Sequence, residues 1–303
     1  VGHDHDHGHA QVRRSQHRRL LWAVLALNLG FLVVEVVGGI AFNSLSLLAD
    51  AAHMATDVTG LAIAMVAQGL ITRPPSERHS FGLQRAEVLG AAVNGLLLTG
   101  SAVWIMVVAI RRLGDPPDVI GGGLLVVAGL GLLVNLGSAL VLARSRRDNL
   151  NMRAAFIHMM ADAAASVGVI VAAVAVLTAD ATWVDPAMSI LIAVLVAWSA
   201  SGLLRDATHV LMEGVPPNLD PDAVVATVAA TDGVVEVHHL HLWNLASDVA
   251  AMSAHVIVAE NPSVHEAQAV TDDIRHRLSV DHGINHATIE LECHRCDDAD
   301  AGH

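Results

Sequence analysis

Six stretches of this chain, at about 20–42, 46–71, 86–110, 120–143, 153–178 and 183–204, run almost free of charge for the length a helix needs to cross hydrocarbon. That length is roughly 20 residues, because a helix rises about 1.5 Å per residue through a core about 30 Å thick. Backbone amides inside lipid must bond within their own segment, so long apolar runs of this kind become helices. Six helical spans are the first expectation. Composition agrees: 53% of the residues are apolar and 16% are charged, a balance rare among soluble domains.

Turn chemistry separates the stretches: Asn43-Ser44, Arg73-Pro74-Pro75, Gly114-Asp115-Pro116-Pro117, Arg146-Arg147-Asp148-Asn149, and Asp180 to Asp185. The arginines are distributed unevenly. Arg13, Arg14, Arg18, Arg19, Arg73, Arg78, Arg85, Arg144, Arg146, Arg147 and Arg153 gather on one side, against Arg111 and Arg112 on the other. The positive-inside bias then predicts a multi-pass protein of the cell (inner) membrane with both termini cytoplasmic. The amino-terminal arginines lead directly into a full-length span, so no cleavable signal is expected. Because the arginines flank spans, the chain shows no nucleic-acid footprint and no nucleic-acid partner is expected.

Beyond Arg205 the periodicity changes. Val224 to Val228 reads as an amphipathic helix, Val234 to Leu245 and Val249 to Val258 as alternating strands, Val264 to Leu278 as a helix, and Ala287 to Leu291 as a strand. That α-β-β-α-β order is the order of a small split-βαβ domain. The expected fold is an all-α six-helix transmembrane domain followed by a small α+β ferredoxin-like cytoplasmic domain. Its divisions are a disordered His-rich tail (1–19), a transmembrane transport domain (20–206), a cytoplasmic metal-binding and dimerisation domain (207–292) and a CxxC tail (293–303). The two cysteines, Cys293 and Cys296, lie too close together for a disulfide framework and suggest a thiolate metal site.

Chemistry enters through ionisable groups inside the spans. The second span holds Asp50, His53 and Asp57, and the fifth holds His158 and Asp162. Each HxxxD places an imidazole and a carboxylate one turn apart on one helix face. An ionisable group at the bilayer centre costs about 2.5–3.5 kcal/mol on insertion scales, so it needs a partner or a purpose. His53 lies ten residues past Asn43 and Asp162 nine past Arg153, which puts both roughly 15 Å deep. Two such pairs at one depth can close around one cation with two nitrogens and two oxygens. That set suits tetrahedral Zn²⁺ and lacks the oxygens Mg²⁺ or Ca²⁺ demands. A single His–Asp pair also reads as interhelical glue; two alike at equal depth favour a metal. Asp50 reads as a supporting residue or proton relay, and equally as structural.

Several runs strongly resemble the cation diffusion facilitator family. They are Asn28-xx-Phe31-xxx-Glu35-xxx-Gly39, Ser44-Leu45-Ser46-Leu47-Leu48-Ala49-Asp50-Ala51-Ala52-His53, and Ser80-Phe81-Gly82-Leu83-Gln84-Arg85-Ala86-Glu87. The fifth-span HxxxD and Val237-His238-His239-Leu240-His241-Leu242-Trp243 complete the set. The resemblance implies a homodimer with a ferredoxin-like cytoplasmic domain that exports zinc by proton antiport. It implies a transport site of His53, Asp57, His158 and Asp162, with His at position 53 favouring zinc over broader selectivity. A loop site known in some relatives would keep His79 alone here, since Ser76 and Leu83 replace its partners. In the cytoplasmic domain it points to His238, His255 and Glu292, with His286 shifted about one position. Glu292-Cys293-x-x-Cys296 adds soft ligands suited to zinc. With 19 histidines in the chain, surface histidines without a metal remain an open reading there, as for the amino-terminal His run.

The predicted function is a proton-coupled antiporter that exports zinc, with cadmium, cobalt and iron as further cargoes, by alternating access around the intramembrane site. Its partners are the lipid membrane, the transported metal, protons and a second copy. Imidazoles titrate near neutrality, so protonation can expel the cation. A metal-sensing membrane scaffold and an intramembrane metalloenzyme are the alternatives. The enzyme would need an open ligand position and a general base, and no HExxH occurs.

Overall fold

Gly, Pro and Asn punctuation decides where the helices stop. The computed structural model describes residues 26–143, 150–246, 249–259 and 262–294. Its membrane-type helices are α1, described over Ala26–Ala41, then α2 (Leu45–Ile71), α3 (Ala86–Gly114), α4 (Gly121–Ala143), α5 (Leu150–Ala179) and α6 (Val184–Leu211). Five are long and apolar enough to cross a membrane; α1 is shorter over its described part. The expected helices are all present. Two run past their expected ends, α3 to Gly114 and α6 to Leu211, because charge halts a hydrophobic run without breaking a helix. Arg111 and Arg112 close the last turn of α3, where cations complement the helix dipole. The amino-terminal His run and Cys296 lie outside the described residues.

Contacts divide the chain into two units, one built of residues up to Ala62 together with Asn94–Gly202, the other of Ile63–Val93 together with Leu203 onward. In the first unit α1 buries Asn28, Phe31 and Glu35 on one face, while Val33, Val37 and Ile40 are exposed on the other. An apolar exposed face on a helix of a membrane domain is a surface for lipid. Small residues bring the backbones close, as in other membrane helix pairs. A Cβ added at Gly131 of α4 would stand 2.9 Å from the Phe31 ring, and one at Gly60 of α2 would stand 2.7 Å from the Asn94 amide.

The turn from α1 to α2 passes through Asn43 in a left-handed conformation, φ 55°, which asparagine tolerates. Its side chain donates to the Asp118 carbonyl and accepts from Arg112. Asp185 of α6 caps α2. The Leu45 and Ser46 amides donate to its carboxylate at 2.7 and 3.3 Å, and the Ser44 and Ser46 hydroxyls at 2.6 Å. This carboxylate is fully buried, and it meets orphan amides at the positive end of a helix.

The second unit carries the α+β domain: α7 (Pro221–Ala229), β1 (Val234–Ala246), β2 (Val249–Val258), α8 (Val264–His282) and β3 (His286–Glu292). Asp220 caps α7 ahead of a proline in the first turn. A capping box of Ser263 and Glu266 opens α8, and Gly283 at φ 68° closes it. Those bonds from Ser263 hold the Glu266 carboxyl below its ordinary value. Val224, Val228, Met252, Val256, Ile274 and Leu278 fill the core beneath the sheet. Sheet order is β1-β2-β3, with β1–β2 antiparallel and β2–β3 parallel. The expected split of the βαβ unit is absent among the described residues. No strand lies between β2 and β3, so the two pair directly and α8 makes a short crossover.

Candidate metal centres

Two clusters of histidine and carboxylate form among the described residues. The first joins α2 to α5. His53 and Asp57 share one face of α2 at i and i+4, and Asp162 reaches them from α5. His53 Nε2 lies 3.5 Å from Asp57 Oδ2 and 3.6 Å from Asp162 Oδ1. Zinc bonds of about 2.0–2.1 Å at the tetrahedral angle separate ligand atoms by roughly 3.3–3.4 Å, so the spacing fits one small cation. Thr56 turns its hydroxyl onto the His53 carbonyl. Ser166 donates to the Asp162 carbonyl and accepts from Asn135. These bonds tie the ligand-bearing turns to their own helices and α5 to α4.

His158 stands on α5 one turn before Asp162, where the HxxxD spacing put it; its side chain lies outside the described residues. Asp50 is buried one turn before His53. It lies close to Glu35 on α1, a residue that belongs to the resembling motif but to which sequence reasoning gave no role. The signal was available: a glutamate in an apolar span demands a partner. A cavity of about 360 Å³ opens beside the cluster, lined by His53, Asp162, Ala165, Met188, Leu195 and Ser199 among others. Its walls are small or aliphatic, so the ionisable groups are its chemical feature.

The second cluster lies on the sheet. His238 of β1 and His255 of β2 are direct cross-strand partners, and Glu292 closes the group from the end of β3. Its Oε1 lies 2.7 Å from His255 Nδ1 and its Oε2 3.4 Å from His238 Nε2. The His238 side chain is 8% exposed, yet neither ring nitrogen has a hydrogen-bond partner. A secluded polar atom without a hydrogen bond is costly, and a metal between His238 Nε2 and Glu292 Oε2, 3.4 Å apart, would satisfy both.

The remaining expected ligands lie apart from this group. His286 begins β3 opposite Ala251, at the other end of the strand from Glu292, and meets Phe81 edge-on at 5.7 Å. Six residue steps along β3 take His286 to Glu292, roughly 20 Å at the strand rise, and that distance keeps it from the cluster. Cys293 is exposed and sits 3.1 Å from the His294 ring. His79 is exposed in a loop whose backbone pairs it with Ser76. It joins neither cluster.

Long lipid-type helices around a half-buried His–carboxylate cluster, followed by an α+β domain with a second one, define a multi-pass membrane protein with the residues to handle metal ions. The chain belongs to the cation diffusion facilitator family: the cation efflux transmembrane domain matches residues 21–212, and the cation efflux protein cytoplasmic domain matches residues 216–294. It is 38% identical over 298 residues to the zinc transporter ZitB of Escherichia coli, covering 98% of this chain and 94% of the relative. It is 39% identical to the metal cation efflux system protein CzcD of Cupriavidus metallidurans, covering 99% and 93%. The cadmium, cobalt and zinc/H(+)-K(+) antiporter of Bacillus subtilis is 34% identical, with 96% and 92% covered.

Proposed function

We propose that this protein is a proton-coupled antiporter that exports Zn²⁺ from the cytoplasm, with cadmium, cobalt and iron as competing cargoes. The observation that carries the reading is the meeting of His53, Asp57 and Asp162 from two helices at 3.5–3.6 Å. One imidazole and two carboxylates match the charge of a divalent ion. His158, one turn from Asp162, is the fourth ligand by its helical spacing. Transporter relatives named for zinc, for cadmium and cobalt, and for H⁺ exchange support cargo and coupling.

Coupling follows from ligand chemistry. An imidazole binds metal only when neutral, so each histidine of the site can carry a proton or take part in holding the metal. Protons arriving from outside displace Zn²⁺, and Zn²⁺ arriving from the cytoplasm displaces protons. The cavity beside His53 and Asp162 gives the ion a route of approach. In this reading the protein works as a homodimer in the cell membrane with both termini cytoplasmic. His238, His255 and Glu292 form a cytoplasmic zinc site that reports or stabilises; Cys293 and Cys296 extend the ligand supply, with Asp50 supporting His53.

The test is purified protein in liposomes with an imposed pH gradient. Zn²⁺ should move uphill while the gradient lasts and stop when it is collapsed. Steady uphill movement without a pH gradient, or Zn²⁺ loading that releases no protons between about pH 6 and 8, would overturn the coupling.

A further inference from the structure

The strand β1 is irregular between His238 and His241. Within that irregularity His239 takes φ 48°, a left-handed conformation uncommon in residues other than glycine, though histidine adopts it more often than most. In a regular strand successive side chains leave opposite faces. Here the bulge breaks the alternation, and His239 turns its ring to the same side as its neighbour. Ring centroids are 5.3 Å apart for His238–His239, 5.1 Å for His239–His255 and 5.4 Å for His238–His255. The three imidazoles thus form a nearly equilateral triangle.

That triangle has the size of a metal site. With Zn–N bonds of about 2.0–2.1 Å, and roughly 1.1 Å more to the ring centre, three imidazoles on a tetrahedral ion hold their centres about 5.2 Å apart. Edge-on ring packing alone also allows 4.5–7 Å, so spacing does not decide by itself. Two further observations bear on the site, in which the ligand atoms already within 4.8 Å of one another are those of His238, His255 and Glu292 and His239 joins by turning a nitrogen toward them. The His238 side chain is little exposed and neither of its nitrogens makes a hydrogen bond, and Glu292 Oε2, 3.4 Å from Nε2, makes none either. Moreover, strained backbone is retained where the surrounding structure or a function requires it, and the strain here serves to aim a ring.

We propose that His239 is the fourth protein ligand of the cytoplasmic centre, completing a tetrahedral set with His238, His255 and Glu292 inside one chain. A set of four protein ligands leaves no open position, the mark of a structural or sensing zinc site. It also needs no ligand from a second copy. The proposal rests on the reading of His238, His255 and Glu292 as a metal site, and the experiment separates the two.

The full-length protein, purified in detergent and carrying Asp57→Ala to weaken the intramembrane cluster, is titrated with Zn²⁺ in competition with a chelator, and with Co²⁺ followed by visible absorption. His239→Asn keeps a residue that tolerates left-handed backbone, and His239→Gly removes the strain altogether. Both should melt like the parent in the absence of metal. Each should lose Zn²⁺ affinity by more than the roughly 10–100-fold that removing an outer supporting group costs. Each should also lose the intense four-coordinate Co²⁺ band. Unchanged affinity and spectrum in both, while His255→Asn abolishes binding, would make His239 a packing residue and overturn the proposal. If His255→Asn binds as the parent does, the cytoplasmic centre itself fails and the proposal with it.

Discussion

The two clusters are chemically alike and architecturally opposite. Within the membrane-type helices, His53 and Asp57 come together because α2 has a period of 3.6, and one helix–helix packing brings in Asp162. On the sheet, each of His238, His255 and Glu292 comes from a different strand. No two are closer than seventeen positions in sequence. Both clusters surround a buried carboxylate, Asp162 at 3% and Glu292 at 6% exposure. The helical site is assembled from local spacing and can persist only while helices stay packed. The sheet site is assembled from register, which a slip of one residue would destroy. Local geometry tolerates the movement of helices that a transport cycle needs; register geometry suits a rigid metal sensor.

The largest expected effect breaks the helical member of the pair. Asp57→Ala or Asp162→Ala should reduce Zn²⁺ flux in liposomes to the protein-free background while the protein still elutes and melts as folded. Wild-type flux from either would remove that carboxylate from the site. Glu292→Ala probes the other member: it should abolish tight cytoplasmic Zn²⁺ binding in a chelator competition yet cut flux far less than Asp162→Ala does. Equal loss of flux from both would show that the two centres act as one relay.

A third prediction concerns what positions α2. Asp185→Ala strips a fully buried cap from the Leu45 and Ser46 amides and two hydroxyls. It should cost on the order of 3 kcal/mol, read as a fall in melting temperature in detergent. Retained stability would mean that water replaces the carboxylate. His53→Asp exchanges a nitrogen ligand for a harder oxygen and should raise cadmium or manganese flux relative to zinc several-fold; an unchanged ranking would place selectivity elsewhere. The smallest effect belongs to Arg85, paired with Glu213 at 2.9 Å but with both partners well exposed. Arg85→Ala should change stability by less than about 1 kcal/mol, and a larger loss would reveal a role beyond that pair.

Much of this was legible in the residues. Apolar runs and their breaks placed the helices because a lipid-spanning segment must be long, uncharged and helical. The HxxxD spacings put His53 with Asp57 and His158 with Asp162 because i and i+4 always share a helix face. The α-β-β-α-β order followed from the change of period after Arg205, though α7 starts at Pro221 and α8 runs on to His282, beyond the periodic apolar residues. The helix ends at Gly114 and Leu211 were missed, since charge was read as a stop where it marks only the edge of the apolar run.

What the sequence determined by itself is everything whose cause lies within one or two helical turns: spans, and a histidine and a carboxylate paired on one helix. What only tertiary structure decided is everything that depends on which segments meet. Asp185 looked like part of a loop until α6 set it under α2. Glu35 had no partner until α1 brought it to Asp50. His286 matched a motif by position, yet the parallel register of β3 holds it at the far end from Glu292. His239 was one of three histidines within four positions until a bulge turned its ring toward His238 and His255. Contacts between distant segments depend on packing and register, which no local pattern encodes, and those contacts bring most of the cytoplasmic centre together.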